Sequence, residues 1–222
     1  MVNGLALPRP LSYNLPMSSP SHWVFAYGSN MHLPDLARWT EEHGLQPPVV
    51  YRAITAVLED HRLAWNYRSR ARAAGAANAW PEKGHQLPGV ILEVDAATFA
   101  AIDTKEGHPN RYSRGTTMET LTTLDGRSLE AWVYSVTPPH LVPTPQSPTQ
   151  AYLQLIRTAA QTHALPQWYQ NHLAAIPTAA RRGRCLGPLS LGLVAAREGT
   201  RRHVLEELLV LRSSQQRDHL RL

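Results

Sequence analysis

The chain has 222 residues, 43% of them hydrophobic and 18% charged, with a formal net charge of +5. This length and balance suit one globular domain with short appendages and exclude a fibrous or low-complexity chain. A single cysteine, Cys185, excludes an internal disulfide and a cysteine-based zinc site, and no run approaches the ~20 apolar residues that span a bilayer.

Residues 1–21 begin apolar, but Pro8, Pro10, Pro16 and Pro20 break the continuous stretch that a signal peptide needs. They read as a flexible leader on a cytoplasmic protein. Residues 22–27 form the first predicted strand. Pro34 and Asp35 open a helix that runs to about His43, with Gly44 as its stop. Residues 49–66 are rich in apolar and β-branched residues and hold one or two strands. Residues 68–86 are rich in Arg, Ala and Gly without a clear period and read as an irregular loop. The segment "LPGVILEV", 87–94, is a compact buried strand.

Asp95 is the expected N-cap of a short helix that stops at Gly107. Residues 116–124 and 128–136 flank Asp125-Gly126, a hairpin signal. The proline-rich stretch 138–148 reads as a connector. Ser147 as N-cap, Pro148 at the first helical position and Gln150 two residues on predict a capping box opening a helix over 148–163. Pro166 opens another helix, to about Ile176. Beyond Pro177 the texture changes to a basic segment, a strand at 186–196 and a helix at 201–212. The expected organisation is a domain at 22–177 and a C-terminal extension at 178–222. The fold class is mixed α and β (α+β), with β prominent.

Arginine supplies nearly all the positive charge, since lysine occurs only at Lys83 and Lys105. The clusters Arg68/Arg70/Arg72, Arg181/Arg182/Arg184 and Arg201/Arg202 have no nucleic-acid-binding signature beside them and read as solvated basic faces. No nucleic-acid or membrane partner is expected. A P-loop, a G-x-G-x-x-G fingerprint, an H-E-x-x-H motif and a G-x-S-x-G motif are all missing from the sequence. None of the 11 histidines pairs with carboxylates at a metal-ligand spacing. No metal or cofactor is expected.

Two places carry chemistry. In "FAYGSNM", 25–31, a strand exits through Gly28, Ser29 and Asn30. Glycine lets a ligand approach the backbone and accepts positive φ, and Ser and Asn favour turns. Such a turn can present several N–H groups together. The second place is Glu106, in "DTKEGHPNRY", at the end of a predicted helix. Helix C-terminal carbonyls disfavour a carboxylate charge, and exclusion of water raises its pKa further, which makes a better proton acceptor. Neighbouring Asp103 and Lys105 read as solvated.

The order of these pieces resembles the gamma-glutamylcyclotransferase family, which includes the AIG2-like proteins. The likeness runs from about Trp23 to Ile176. It is carried by "FAYGSNM", "EGHPNRYSR" and "SPTQAYLQLIRTAAQTHALPQWY". It implies a small β-barrel with flanking helices and a loop that binds a gamma-glutamyl group largely through backbone. It implies substrate-binding roles for Tyr27, Gly28, Ser29 and Asn30, and an acid/base role for Glu106. Tyr112 and Tyr152 match tyrosines that line or border the pocket in some members, with packing an equal alternative for each. The implied reaction cyclises a small-molecule gamma-glutamyl amide to 5-oxoproline and releases an amine or amino acid. A non-catalytic binding protein on the same fold and a related acyl-transfer or amide-cleaving enzyme remain open, as do a monomer and a homodimer.

Overall fold

Trp23, Val24 and Phe25 are aromatic or β-branched and suit a pleated, half-buried strand. They lie in β1 (His22–Ala26), whose last three residues are buried. The structure, a computed structural model, describes residues 21–179. The leader up to residue 20, the strand expected at 186–196 and the helix expected at 201–212 lie outside the described residues.

After β1 a single 3-10 turn, Ser29–Met31, leads into α1 (Leu33–Glu42). His32 caps α1, its ring nitrogen accepting from the Asp35 N–H at 3.1 Å. Gly44 follows at φ +65°, the left-handed stop expected of it.

The largest feature is an antiparallel ribbon of β2 (Val50–Ser69) and β3 (Ala74–Val94), paired from Val50↔Val94 to Ser69↔Ala74. The loop expected over 68–86 is therefore confined to residues 70–73, and the strand expected at 87–94 is only the second half of β3. The physical reason is visible in burial. Ala74 through Ala79 are all buried, so no alternation betrays the strand, and Ala and Gly carry little β-propensity. Register shifts between Glu59 and His61 and between Ala64 and Tyr67 break what period β2 would show. Pairing with β2, not local preference, makes this segment a strand.

Gly75 is where that segment needs a glycine. A Cβ there would stand 1.9 Å from the backbone oxygen of Gln146, because residues 146–148 run directly over it. The Gly75 N–H donates to the Ser147 oxygen at 3.0 Å. Gly75→Ala must push the connector away. We expect a loss of about 1–3 kcal/mol, read as a lower midpoint in urea unfolding. An unchanged midpoint would mean the connector yields freely.

β3 continues through Asp95, whose side chain caps α2 (Ala96–Glu106) by accepting from the Thr98 N–H at 2.8 Å. Gly107 ends α2 at φ +69°. β4 (Tyr112–Ser113) pairs with β7 (Ser135–Val136) in a small two-stranded sheet. β5 (Glu119–Thr123) and β6 (Ser128–Val133) form the hairpin expected around Asp125-Gly126, with Gly126 at φ +84°. β6 returns parallel to β1 and closes a barrel in the order β1-β3-β2-β5-β6. Closure removes the free sheet edges that would invite aggregation.

The helix expected over 148–163 begins later. α3 spans Gln150–Thr162, and its cap is Thr149, which accepts from the Tyr152 N–H at 3.2 Å. Ser147 cannot serve as the cap because it and Pro148 are held extended against Gly75. α4 (Gln167–Ala175) follows Pro166 as expected. Phe25, Met31, Leu58, Ile91, Leu121 and Ile156, all fully buried, join barrel and helices in one core. Among the described residues, no helix is long and apolar enough to cross a membrane. The end of β1, the end of α2 and the start of α3 converge at one opening of the barrel, where the chemistry-bearing residues lie.

Candidate active site

A cavity of about 470 Å³ opens there. Its lining includes Tyr27, Gly28, Ser29, Asn30, Glu106, Tyr112 and Tyr152, so every site residue expected from the sequence reaches one place. Tyr27, Glu106 and Tyr152 are far apart along the chain. They meet because β1 hands the chain to the 3-10 turn beside the last turn of α2, while α3 starts against the inner half of β3.

Glu106 is the centre of this lining. Asn30 Nδ2 donates to its Oε1 at 2.7 Å. Burial pushes the Glu106 pKa above its ordinary value, against the opposing pull of Lys105, the Asn30 hydrogen bond, Arg111 and Arg72. Glu106 as a residue is half-buried and lines the cavity, so it is desolvated yet borders the space a ligand would occupy. The other end of the Asn30 amide, Oδ1, is buried without a partner among the described residues. An orphaned acceptor of this kind costs about 1–3 kcal/mol unless something donates to it.

The turn after β1 departs from its sequence reading in one respect. Gly28 has φ −117°, so its freedom to reach positive φ is not used. Space is the reason for glycine: a Cβ would stand 3.3 Å from the Tyr152 hydroxyl and 3.5 Å from the Ala77 Cβ. The N–H groups of Gly28, Ser29 and Asn30 find no acceptor among the described residues. The first donors of a helical turn have no intrahelical partner, and here they sit in a cavity wall.

The tyrosines differ in what they offer. Tyr27 is buried and lines the cavity, and its hydroxyl donates to the Tyr134 carbonyl. The Tyr112 hydroxyl donates to the Ala77 carbonyl at 2.8 Å, while the Ala77 N–H points to the Tyr152 hydroxyl at 3.4 Å. These two rings thus hold β3 at Ala77 and also wall the cavity. Burial raises the pKa of Tyr27, Tyr112 and Tyr152, so all three stay protonated and neutral.

Lys105, read from sequence as solvated, has a side chain only 8% exposed and pairs with buried Asp35 at 3.4 Å. Burial lowers its pKa, with Asp35 and Glu106 opposing that shift. Asp103 is likewise not free. It accepts from the Tyr134 hydroxyl at 2.5 Å and from Arg114 at 3.1 Å. The Arg68/Arg70/Arg72 cluster also divides, since Arg72 lines the cavity and lies 4.2 Å over the Tyr152 ring. Arg111 lines it too, with Nη2 donating to the Lys105 carbonyl at 3.1 Å. Sequence reasoning missed Lys105, Arg111 and Tyr134; it connected the arginine-rich 68–86 loop with the leaving group but could not place Arg72 at the pocket. A local signal for Lys105 was its rarity, as one of two lysines in an arginine-rich chain, adjacent to the proposed acid.

Comparison with solved structures gives the same fold. A protein described as gamma-glutamyl cyclotransferase superposes with a TM-score of 0.62 at 21% identity, over 74% of this chain and 93% of that one. An uncharacterized protein, loc79017 from Homo sapiens, gives 0.62 at 22% identity, over 74% and 92%. YkqA from Bacillus subtilis gives 0.56 at 20% identity, over 73% of this chain and 57% of its own. A comparison with curated protein sequences gives no match. The family model for "Gamma-glutamyl cyclotransferase, AIG2-like" matches residues 24–154, from the buried half of β1 through the first turns of α3, and therefore includes both the Gly28–Asn30 turn and Glu106. The chain belongs to the gamma-glutamyl cyclotransferase, AIG2-like family.

Proposed function

We propose that this protein cyclises a gamma-glutamyl amide to 5-oxoproline, with Glu106 as the general acid/base. The observation that carries the reading is one reachable, desolvated carboxylate hydrogen-bonded to Asn30 beside three unengaged backbone donors.

The substrate supplies its own nucleophile. Its alpha-amine attacks the gamma-carbonyl carbon, a new N–C bond closes a five-membered ring, and the bond to the leaving nitrogen breaks. Attack needs a free amine, so the alpha-ammonium must first lose a proton. Glu106 takes that proton and returns it to the leaving nitrogen, and no water is consumed. A raised pKa suits both halves of the transfer. N–H groups of the 28–30 turn are the donors for the oxyanion that forms at the gamma-carbon. Holding the amine against the carbonyl is itself worth ~7–11 kcal/mol in well-oriented intramolecular reactions. Tyr27, Tyr112 and Tyr152 shape the wall against which the chain of the glutamyl group folds.

The test is mass spectrometry of products after incubation with gamma-glutamyl amides. The expected product is 5-oxoproline in equal amount to the released amine. Free glutamate in its place would point to hydrolysis. Binding without any product would point to the non-catalytic alternative. The pH profile adds a second check. Glu106 works as a base only when ionised, so kcat/KM should fall as pH drops through its folded pKa. That acid limb should lie above the ordinary carboxylate value of 4.5. A limb at or below that value would assign the transition to another group.

A further inference from the structure

The charges around the cavity do not balance for a gamma-glutamyl group alone. Four ionisable side chains of interest face it: Glu106, Lys105, Arg72 and Arg111. Lys105 pairs at 3.4 Å with Asp35, a carboxylate shared with Arg38, and Arg38 is matched in turn by Glu42, so this group is balanced without a ligand. Glu106 is matched, in the reading above, by the substrate alpha-ammonium. Arg72 and Arg111 remain, and neither pairs with a carboxylate among the described residues. A gamma-glutamyl group brings one alpha-carboxylate, which can satisfy one of them.

The two arginines are held on different elements and in different ways. Arg111 lies against the C-terminal end of α2: its Nη2 donates to the Lys105 carbonyl, and its guanidinium fills the space a Cβ on Gly107 would occupy, 2.2 Å from Nε. It thus stands beside Glu106, where the alpha-carboxylate must lie if the alpha-ammonium meets Glu106. Arg72 sits in the turn between β2 and β3, stacked on Tyr152, whose hydroxyl overhangs Gly28. Both arginines lower the proton affinity of Glu106, Arg111 more than Arg72, in keeping with that order of approach.

Resting on the cyclotransferase reading, we infer that Arg72 forms an anion subsite for the leaving group, so that the substrate is a gamma-glutamyl amino acid or peptide with its own carboxylate, not a gamma-glutamyl amine. A planar guanidinium fixed on an aromatic face presents its N–H fork edgewise, the geometry that a carboxylate takes up bidentately. The released product is then an amino acid or peptide, leaving with the proton that Glu106 returns to its nitrogen.

The experiment compares gamma-glutamyl-alanine with gamma-glutamyl-isopropylamide, in which a methyl group replaces only the alanine carboxylate. The full chain, Arg72→Met, Arg72→Lys, Arg111→Met and Arg70→Met are assayed for 5-oxoproline. Arg70 is exposed, neighbours Arg72 in the same turn and does not line the cavity, so it controls for net charge. We expect the unmodified chain to prefer the alanine compound by about tenfold or more in kcat/KM, the discrimination worth ~1.4 kcal/mol. Arg72→Met should bring that ratio close to one, Arg72→Lys should restore part of it, and Arg70→Met should leave it intact. Arg111→Met should slow both compounds alike. Equal turnover of the two amides by the unmodified chain overturns the subsite and leaves the cyclotransferase reading standing. Absence of 5-oxoproline from both overturns that reading instead. Titration calorimetry of the same two amides against the unmodified chain and Arg72→Met then decides the subsite by itself: a binding preference for the carboxylate that Arg72→Met removes supports it, and equal binding overturns it.

Discussion

Glu106→Gln should fold as the unmodified chain does and lose ~10²- to 10⁴-fold in turnover, the usual contribution of a positioned general acid/base. The amide is nearly isosteric, and its Oε1 can still accept from Asn30 Nδ2 as the carboxylate does at 2.7 Å. It cannot take a proton from the alpha-ammonium. Turnover should therefore fall with KM little changed, and the acid limb of the pH profile should disappear. The same substitution carries a stability signature with a definite sign. The folded-state pKa of Glu106 is raised by burial, so the folded protein favours the protonated form. The ionised carboxylate is then a cost to the fold, present above the folded pKa and absent below the unfolded value near 4.5. Glu106→Gln removes that cost. Its Tm should exceed that of the unmodified chain at pH 7, and the difference should shrink as pH falls toward 4. A normal turnover rate would remove Glu106 from the mechanism. A lower Tm at pH 7 would show that the carboxylate is better solvated by its surroundings than its burial implies.

Gly28→Val should fill the cavity at the point where the backbone faces it. The added Cβ meets the Tyr152 hydroxyl at 3.3 Å and the Ala77 Cβ at 3.5 Å. That contact is tight but tolerable, and Gly28→Ala should therefore bind substrate with a modest loss. Valine places two further methyl groups beyond the Cβ, where Tyr152, Ala77 and the ligand compete for space. Overpacking costs about 1–3 kcal/mol. Taken from binding, that is roughly 5- to 150-fold in Kd, with a further loss if the 28–30 donors tilt away from the carbonyl. The readout is calorimetric affinity for a gamma-glutamyl ligand, with a thermal melt to show that the barrel survives. Unchanged affinity in the valine variant would place the substrate elsewhere than against this turn.

Gly28 and Glu106 are legible in the amino-acid sequence because each sits at a change of local structure that its neighbours announce. Gly28 follows a run of aromatic and β-branched residues and precedes two turn formers. Glu106 precedes the glycine that stops α2 in the left-handed conformation. The helix cap at Asp95, the stops at Gly44 and Gly107 and the hairpin at Asp125-Gly126 are local events of the same kind, and they occur where the residues announce them. Ser147 shows the limit of that reasoning. Its cap signature is correct by composition, but the tertiary approach of Gly75 holds residues 147–148 extended and hands the capping role to Thr149.

Local residue order was thus enough for most helix starts and stops. Together with the family resemblance, it was enough for the barrel class and for singling out Glu106 and the Gly28–Asn30 turn, which line one cavity. Those properties are encoded over a few neighbouring residues, or in motifs whose order survives along the chain. The strand character of 74–86 was settled in three dimensions, because an all-buried alanine-rich segment carries no period and becomes β through its partner β2. Tertiary packing likewise turned Lys105 inward to Asp35 and drew Arg72 out of a run of surface arginines onto Tyr152. Whether a charge is solvated or lines a cavity depends on what packs against it from distant parts of the chain, and no local pattern records that.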